Sequence, residues 1–210
     1  MIKITQLVFN PFQENTFVLY NDKNECIIVD PGCYEDNEKE QLNYFIKNNN
    51  LIPKRLINTH CHVDHVLGNS FVKNSYNVVF SIHKDDLPLL KRVTQHGIEF
   101  GLEINPPPEI DEFLEEGSKI SFGDSIIKII HVPGHSPGSI ALYSEPDKFI
   151  MVGDVLFQGS IGRTDLPGGN HDTLINSIQK KLMVLPHDTL IYPGHGPSTT
   201  IGEEYNSNPF

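Results

Sequence analysis

The chain has 210 residues, 38% of them hydrophobic, with three cysteines and a formal net charge of −11. A chain this long buries roughly 70% of the surface its unfolded form exposes, so one domain over residues 1–210 needs no disulfide framework, and three thiols cannot all pair. The acidic surface argues against a nucleic-acid partner, and no apolar run approaches the ~20 residues of a membrane span.

The opening MIKITQLVFN alternates apolar and polar residues, which predicts a strand and not a signal peptide. Together with the unpaired thiols, this gives a reducing, cytoplasmic location as the expectation. ITQLVF, NTFVLY and CIIVD are the first three predicted strands, the last closed by the turn at Asp30–Gly32. Leu42, Phe45 and Ile46 recur at helical spacing in NEKEQLNYFIKNNN, and the asparagine run ends that helix. KRLINT reads as a buried strand. VLGNSFVKNSY and DDLPLLKRV are helical candidates interrupted by Gly68 and Pro88, and NPPPE at 105–109 is a break that could mark the join of two halves. SIIKIIHV, SIALYS and KFIMVG are strands, HDTLINSIQKKLMVL a helix and DTLIYPG a last strand. Strands in two groups, each with helices, predict a mixed α/β (α+β) chain of two sheets packed face to face with helices outside.

The densest polar stretch is NTHCHVDHVLGN, Asn58 to Asn69. Extended backbone alternates faces, so His60 and His62 point one way and Cys61 the other. Asp64 and His65 follow where the chain turns into a helix. His135, Asp154 and His195 each come after a predicted strand with a glycine immediately before them. Gly134, Gly153 and Gly194 are expected to permit tight or left-handed turns there. Strand ends along one edge of a sandwich would bring all seven residues together. Five imidazoles and two carboxylates suit two divalent metal ions, with Asp154 bridging. Nitrogen and oxygen ligands without thiolate accept Zn(II), Fe(II) or Mn(II), and zinc is the first expectation. Because a metal can bring the pKa of bound water down to about 7, hydrolysis is the natural use of such a site.

THCHVDH followed by single His, Asp and His residues resembles the metallo-β-lactamase superfamily over nearly the whole chain. GSIGRTDLPGG and YPGHGP, with Asp154 where some true β-lactamases carry a cysteine ligand, look like its compact glyoxalase II branch, the hydroxyacylglutathione hydrolases. The resemblance implies a four-layer αββα sandwich with the site at one edge. It further implies His60, His62 and His135 on the first metal, Asp64, His65 and His195 on the second, and Asp154 between them. Asp64 and Asp154 would be the catalytic carboxylates, acting with a metal-bridging hydroxide that attacks the carbonyl of a small-molecule thioester such as S-lactoylglutathione. Longer glyoxalase II enzymes carry a C-terminal helical segment whose basic residues grip glutathione. Here 15 residues follow His195, and Glu203 and Glu204 are the charged ones, which leaves the carrier thiol open. Acyl group and oligomeric state are open too.

The persulfide dioxygenases of the same superfamily also resemble THCHVDH and GRTD, and would use His60, His135 and Asp154 around a single iron. A non-catalytic or electron-transfer module is a further alternative. A nuclease would want a basic track, and β-lactam hydrolysis would want export. Of the remaining residues, His83, His96, His131, His171 and His187 lie outside the motif, with His131 expected as a core or supporting imidazole, His171 at a helix start and His187 in a surface loop. Cys61 reads as a small packed residue beneath the site, and Cys26 and Cys33 as structural. Arg163 and Asp165 read as a local ion pair or a substrate contact, and Tyr143 and Phe157 as core or pocket wall.

Overall fold

The computed structural model describes all 210 residues. Its first sheet runs in chain order, β1 (Lys3–Phe9), β2 (Glu14–Tyr20), β3 (Glu25–Val29), β4 (Ile52–Ile57), β5 (Val79–Ile82) and β6 (Glu112–Phe113). The first three strands are antiparallel and the last four parallel. After β7 (Lys119–Phe122), β8 (Ser125–His131), β9 (Ile140–Ser144) and β10 (Phe149–Gly153) comes a small hairpin of β11 (Leu156–Phe157) and β12 (Ser160–Ile161). The second sheet, completed by β13 (Leu190–Pro193) and β14 (Thr199–Thr200), has the order β14-β13-β10-β9-β8-β7, with β10 and β13 parallel.

Side-chain alternation builds three apolar layers from these strands. Phe17, Leu19, Ile27 and Val29 of the first sheet face Ile127, Ile129, Ile140, Leu142 and Met151 of the second. The neighbours Val18, Cys26, Ile28 and Leu56 turn outward onto helices α1 (Asp36–Asn48), α3 (Asn69–Tyr76) and α4 (Leu87–Glu99). Ala141, Tyr143, Ile150 and Val152 turn outward onto α5 (His171–Ser177) and the π-helical turn Ile178–Leu182, with Ile201 of α6 (Ile201–Ser207) closing that layer. The result is the αββα sandwich. Each fully buried Leu, Ile or Phe in these layers stabilises it by about 1.5–3 kcal/mol before entropic costs.

Local chemistry sets the helix ends. The Glu38 carboxylate accepts the backbone N–H groups of Tyr34 and Glu35 at the start of α1, and also that of Asn10, so one side chain caps the helix and ties it to the β1–β2 turn. Pro88 lies in the first turn of α4, where a missing N–H costs nothing. The helix predicted over 66–76 forms only from Asn69, as α3, and Gly68 separates it from the short α2 (Val63–Val66) before it; a Cβ at Gly68 would lie 2.5 Å from Cys33 Sγ. The predicted helix over 171–185 is likewise α5 and then the π turn. The proline triplet does not separate the halves. It lies between α4 and β6, which still pairs with β5, and the chain passes to the second sheet after Phe113.

Candidate metal centre

The carboxyl ends of β3, β4, β8, β10 and β13 meet at one edge of the sandwich, and backbone bonds lock the two sheets there. Ile140 N–H donates to Thr59 O at 2.8 Å and Asn15 N–H to Gly194 O at 2.7 Å. The Asn15 side-chain amide adds bonds to Pro193 O and Gly196 O, both at 2.9 Å. β4 delivers His60 and His62 on one side and Cys61 on the other, where it is 2% exposed among the residues under α4.

Two triads form. His60, His62 and His135 can each offer a ligand atom within 4.8 Å of the others, and so can Asp64, His65 and His195. In the first, His135 Nε2 lies 2.8 Å from His62 Nδ1 and 3.2 Å from His60 Nε2. Ligand nitrogens 2.0–2.1 Å from a tetrahedral ion would be about 3.3 Å apart. In the second, His195 Nε2 is 3.0 Å from Asp64 Oδ2 and His65 Nε2 is 3.6 Å from the same oxygen. Asp154 spans both: Oδ2 is 3.7 Å from His135 Nε2 and 3.6 Å from His195 Nε2, while Oδ1 is 3.4 Å from His65 Nε2. His65 Nε2 and Asp154 Oδ1 are buried with no hydrogen-bond partner. Buried polar atoms of this kind are costly unless something binds them, and a divalent cation is the partner this donor set fits.

The protein fixes which nitrogens face the centre. His135 donates from Nδ1 to Arg163 O at 2.8 Å, and His195 from Nδ1 to Phe12 O at 3.1 Å, so both present Nε2. Burial first, then neighbouring imidazoles, holds His60 well below the usual imidazole value and brings His62 to about 3, leaving both neutral. Burial is the largest single influence on Asp154 and works against its ionisation, but His65, His135 and His195 together outweigh it and keep the carboxyl below its ordinary value. His65 is raised well above its own despite burial, because Asp64 and Asp154 flank it. A field that favours a proton there also favours a metal cation.

Gly134 and Gly153 have φ of +136° and +52°, as expected of left-handed turns, but Gly194 does not have a positive φ. Its role is space, since a Cβ would lie 2.2 Å from Asp154 Oδ1 and 2.7 Å from His65 Cε1.

A cavity of about 350 Å³ opens onto the cluster, walled by Phe12, Val63, Leu89, Phe100, Leu166 and Pro167, with His96, Glu99 and Arg163 at its polar side. Arg163 pairs with Asp165 through two bonds of 2.7 Å. Tyr143 is buried in the outer layer of the second sheet, and Phe157 lies with its ring 6.4 Å from that of His195; neither lines the cavity. His131, expected as a core or supporting imidazole, is half-buried at the end of β8, where its ring N–H is satisfied by Pro137 O at 2.9 Å and its ring stacks on that of His83. His171 starts α5 and His187 is exposed beside Tyr205.

Sequence reasoning missed the layer behind the ligands. Asp30 accepts Thr59 N–H at 2.7 Å and Thr59 Oγ1–H at 2.5 Å, and its Oδ2 lies 3.2 Å from His65 Nδ1. Glu14 is fully buried 3.9 Å from the same nitrogen, and burial raises its pKa. The available signal was a carboxylate at each end of otherwise apolar strands. The cavity wall formed by Leu89, His96 and Glu99 of α4 was missed too; Phe100, an apolar residue that follows the helix and also lines the cavity, was its trace.

The family description "Metallo-beta-lactamase superfamily" matches residues 9–195. A probable metallo-hydrolase of Bacillus subtilis, YqgX, is 36% identical over 100% of this chain and 97% of its own. The hydroxyacylglutathione hydrolase GloC of Haemophilus influenzae is 39% identical over 95% of this chain and 93% of its own. Among solved structures, the BLEG-1 B3 metallo-beta-lactamase superposes with a TM-score of 0.91 at 37% identity, covering 99% of both chains. TTHA1623 in a di-iron-bound form gives 0.88 at 35%, covering 98% of this chain and 99% of that one. The sandwich, the edge cluster and these likenesses agree: the chain belongs to the metallo-beta-lactamase superfamily of metallo-hydrolases.

Proposed function

We propose that His60, His62 and His135 hold one divalent metal ion, that Asp64, His65 and His195 hold a second with Asp154 between them, and that the chain hydrolyses a thioester, S-lactoylglutathione or a similar hydroxyacyl thioester. The observation that carries this reading is the position of Asp154, within 3.4–3.7 Å of one histidine of the first triad and two of the second. A single-iron dioxygenase site would leave Asp64, His65 and His195 without a task. Zinc fits the nitrogen and oxygen donors, and iron fits them as well; the di-iron form of TTHA1623 is one such case in a relative.

Bound there, the ions supply Lewis acidity and a nucleophile drawn from water at neutral pH. The chain supplies the geometry. Arg163 O and Phe12 O fix the rings of His135 and His195, and the apolar walls at Phe12, Leu89, Phe100 and Leu166 exclude water and receive the acyl group. A thiol has an unperturbed pKa of about 8.5, so thiolate departs without a proton donor; an amide's amine does not. The name of the Haemophilus relative supports a hydroxyacyl thioester, whereas that of BLEG-1 makes a β-lactam the second substrate to try.

Metal-quantified protein assayed under argon for thiol release from S-lactoylglutathione tests the proposal. Expected are two metals in the central cluster and oxygen-independent release. Asp154→Ala should lose metal and cut release more than about 100-fold, since even partners behind the ligands are worth 10–100-fold. No release from fully metallated protein would overturn the thioester reading; β-lactam turnover or oxygen uptake with a persulfide would replace it.

A further inference from the structure

The cavity reaches the metal centre through Asp64, His135, Asp154 and His195, and its apolar wall begins at the ligands themselves. Val63 stands between His62 and Asp64 in the chain. Phe12, whose carbonyl holds the His195 ring, meets Phe100 edge to face with ring centroids 5.5 Å apart. This pair joins the turn between β1 and β2 to the end of α4, and the backbone there is pinned. Phe100 N–H closes on Gly97 O and Gly101 N–H on Ile98 O, both at 3.0 Å, while Leu102 N–H returns to Gly97 O at 2.8 Å. Ile104 packs so closely that a Cβ at Gly97 would lie 2.3 Å from its Cδ1. Yet Phe100 remains 56% exposed, a fixed aromatic ring on the cavity wall with solvent over more than half of it.

Charge on the wall limits what lies against it. Arg163 is the one lysine or arginine lining the cavity, and its Nε and one terminal nitrogen are engaged by Asp165. Glu99 adds a carboxylate, with no lysine or arginine three or four residues away in the chain to offset it. A carboxylate at the end of the acyl group would therefore meet no unpaired lysine or arginine here. Size argues for a filling group. A lactoyl group has about five non-hydrogen atoms, which at no more than about 30 Å³ each occupy under half of the cavity's 350 Å³. Apolar side chains bound the rest, and a methyl group gains little from them.

Resting on the thioester reading above, we propose that Phe12, Leu89, Phe100 and Leu166 bind the acyl side of the substrate, and that the preferred substrates are hydroxyacyl thioesters with an uncharged tail, aliphatic or phenyl, larger than the methyl of lactate. Phe100 sets the preference, because Leu89 is already buried, Phe12 and Leu166 are half-buried, and Phe100 is the one of the four left exposed. Covering it with the tail removes apolar surface from water on both partners. That contact is made as the substrate binds and kept while its carbonyl is attacked, so it appears in kcat/KM.

Thioesters of N-acetylcysteamine, an uncharged carrier, isolate the acyl side. On metal-loaded protein, kcat/KM is measured for the lactoyl, 2-hydroxyhexanoyl and mandeloyl thioesters, each normalised to its rate of alkaline hydrolysis. The hydroxyhexanoyl tail adds three methylenes worth about four-fold each when fully buried, so it should exceed lactoyl by at least about 10-fold, and mandeloyl should exceed it too. Phe100→Ala should cut that ratio by at least about four-fold, one methylene's worth of contact. Ile98→Ala, on the exposed side of the same helix and outside the cavity, should leave it unchanged. Calorimetry with the S-methyl and S-hexyl thioethers of N-acetylcysteamine, which are not hydrolysed, should show tighter hexyl binding that Phe100→Ala weakens. Equal kcat/KM across the series, or a preference that survives Phe100→Ala, overturns the proposal. If no thioester is cleaved, the hydrolase reading fails by itself and the thioethers decide this one: a hexyl preference reduced in Phe100→Ala upholds the assignment of the wall, and any other result removes it.

Discussion

Asp30 holds the centre from one layer behind it. Its two oxygens take the N–H and hydroxyl of Thr59, the residue before His60, while Oδ2 faces His65 Nδ1. One carboxylate therefore sets the exit of β4 and the ring of a residue in the second triad. Asp30→Asn should lower metal affinity about 10–100-fold, measurable by chelator competition, with little loss of folded protein; unchanged affinity would reduce Asp30 to a turn former. At this scale the seven central residues were legible because they occupy one short motif and three glycine-marked strand ends. Asp30 was visible only as part of a turn, since nothing local says that a DPG turn touches a histidine 35 positions later.

The element that matters most for the loop of His135 is the short turn before α4. Asp86 is fully buried and accepts bonds from Cys61 N–H at 2.8 Å, Ser136 Oγ–H at 2.8 Å and Gly138 N–H at 2.6 Å, while burial raises its pKa even so. Removing it strands three buried donors. Asp86→Ala should therefore cost about 3 kcal/mol or more, a drop in Tm of roughly 6–12 °C for a chain of this size, read by thermal unfolding with metal content fixed. A change under 2 °C would mean that water replaces the carboxylate. Long strands and helices could be read from periodicity, and Pro88 proved compatible with α4 because it sits in the first turn. Short pieces could not. β6, β11, β12 and β14 are two residues each, too short to carry a period, and exist because a neighbouring strand supplies their bonds.

Across the whole molecule, the three thiols report the integrity of the core. Cys26, Cys33 and Cys61 are free and buried, and burial pushes Cys26 and Cys33 up to about 12 and Cys61 well above its ordinary value. An unfolded chain ionises these thiols near pH 9, so between about pH 9 and 12 it binds fewer protons than the folded one. Stability is then fully present below pH 9 and falls as pH rises, by at most about 1.4 kcal/mol per pH unit for each thiol. Urea unfolding at pH 8 and 10.5 should show the loss, and Cys26→Ser and Cys33→Ala variants should flatten it in part. A pH-independent midpoint would contradict the burial assigned to all three.

What the sequence determined by itself was the alternation that stacks two sheets, the donor types suited to metal, and the residues that carry them, because period and side-chain chemistry are local properties. Which residues stand behind the ligands, which walls enclose the cavity and why Gly194 can have no side chain were decided by tertiary structure alone. Those depend on distances between segments far apart in the chain, such as the 2.2 Å that would separate a Cβ at Gly194 from Asp154 Oδ1, and such distances exist only once the two sheets have packed.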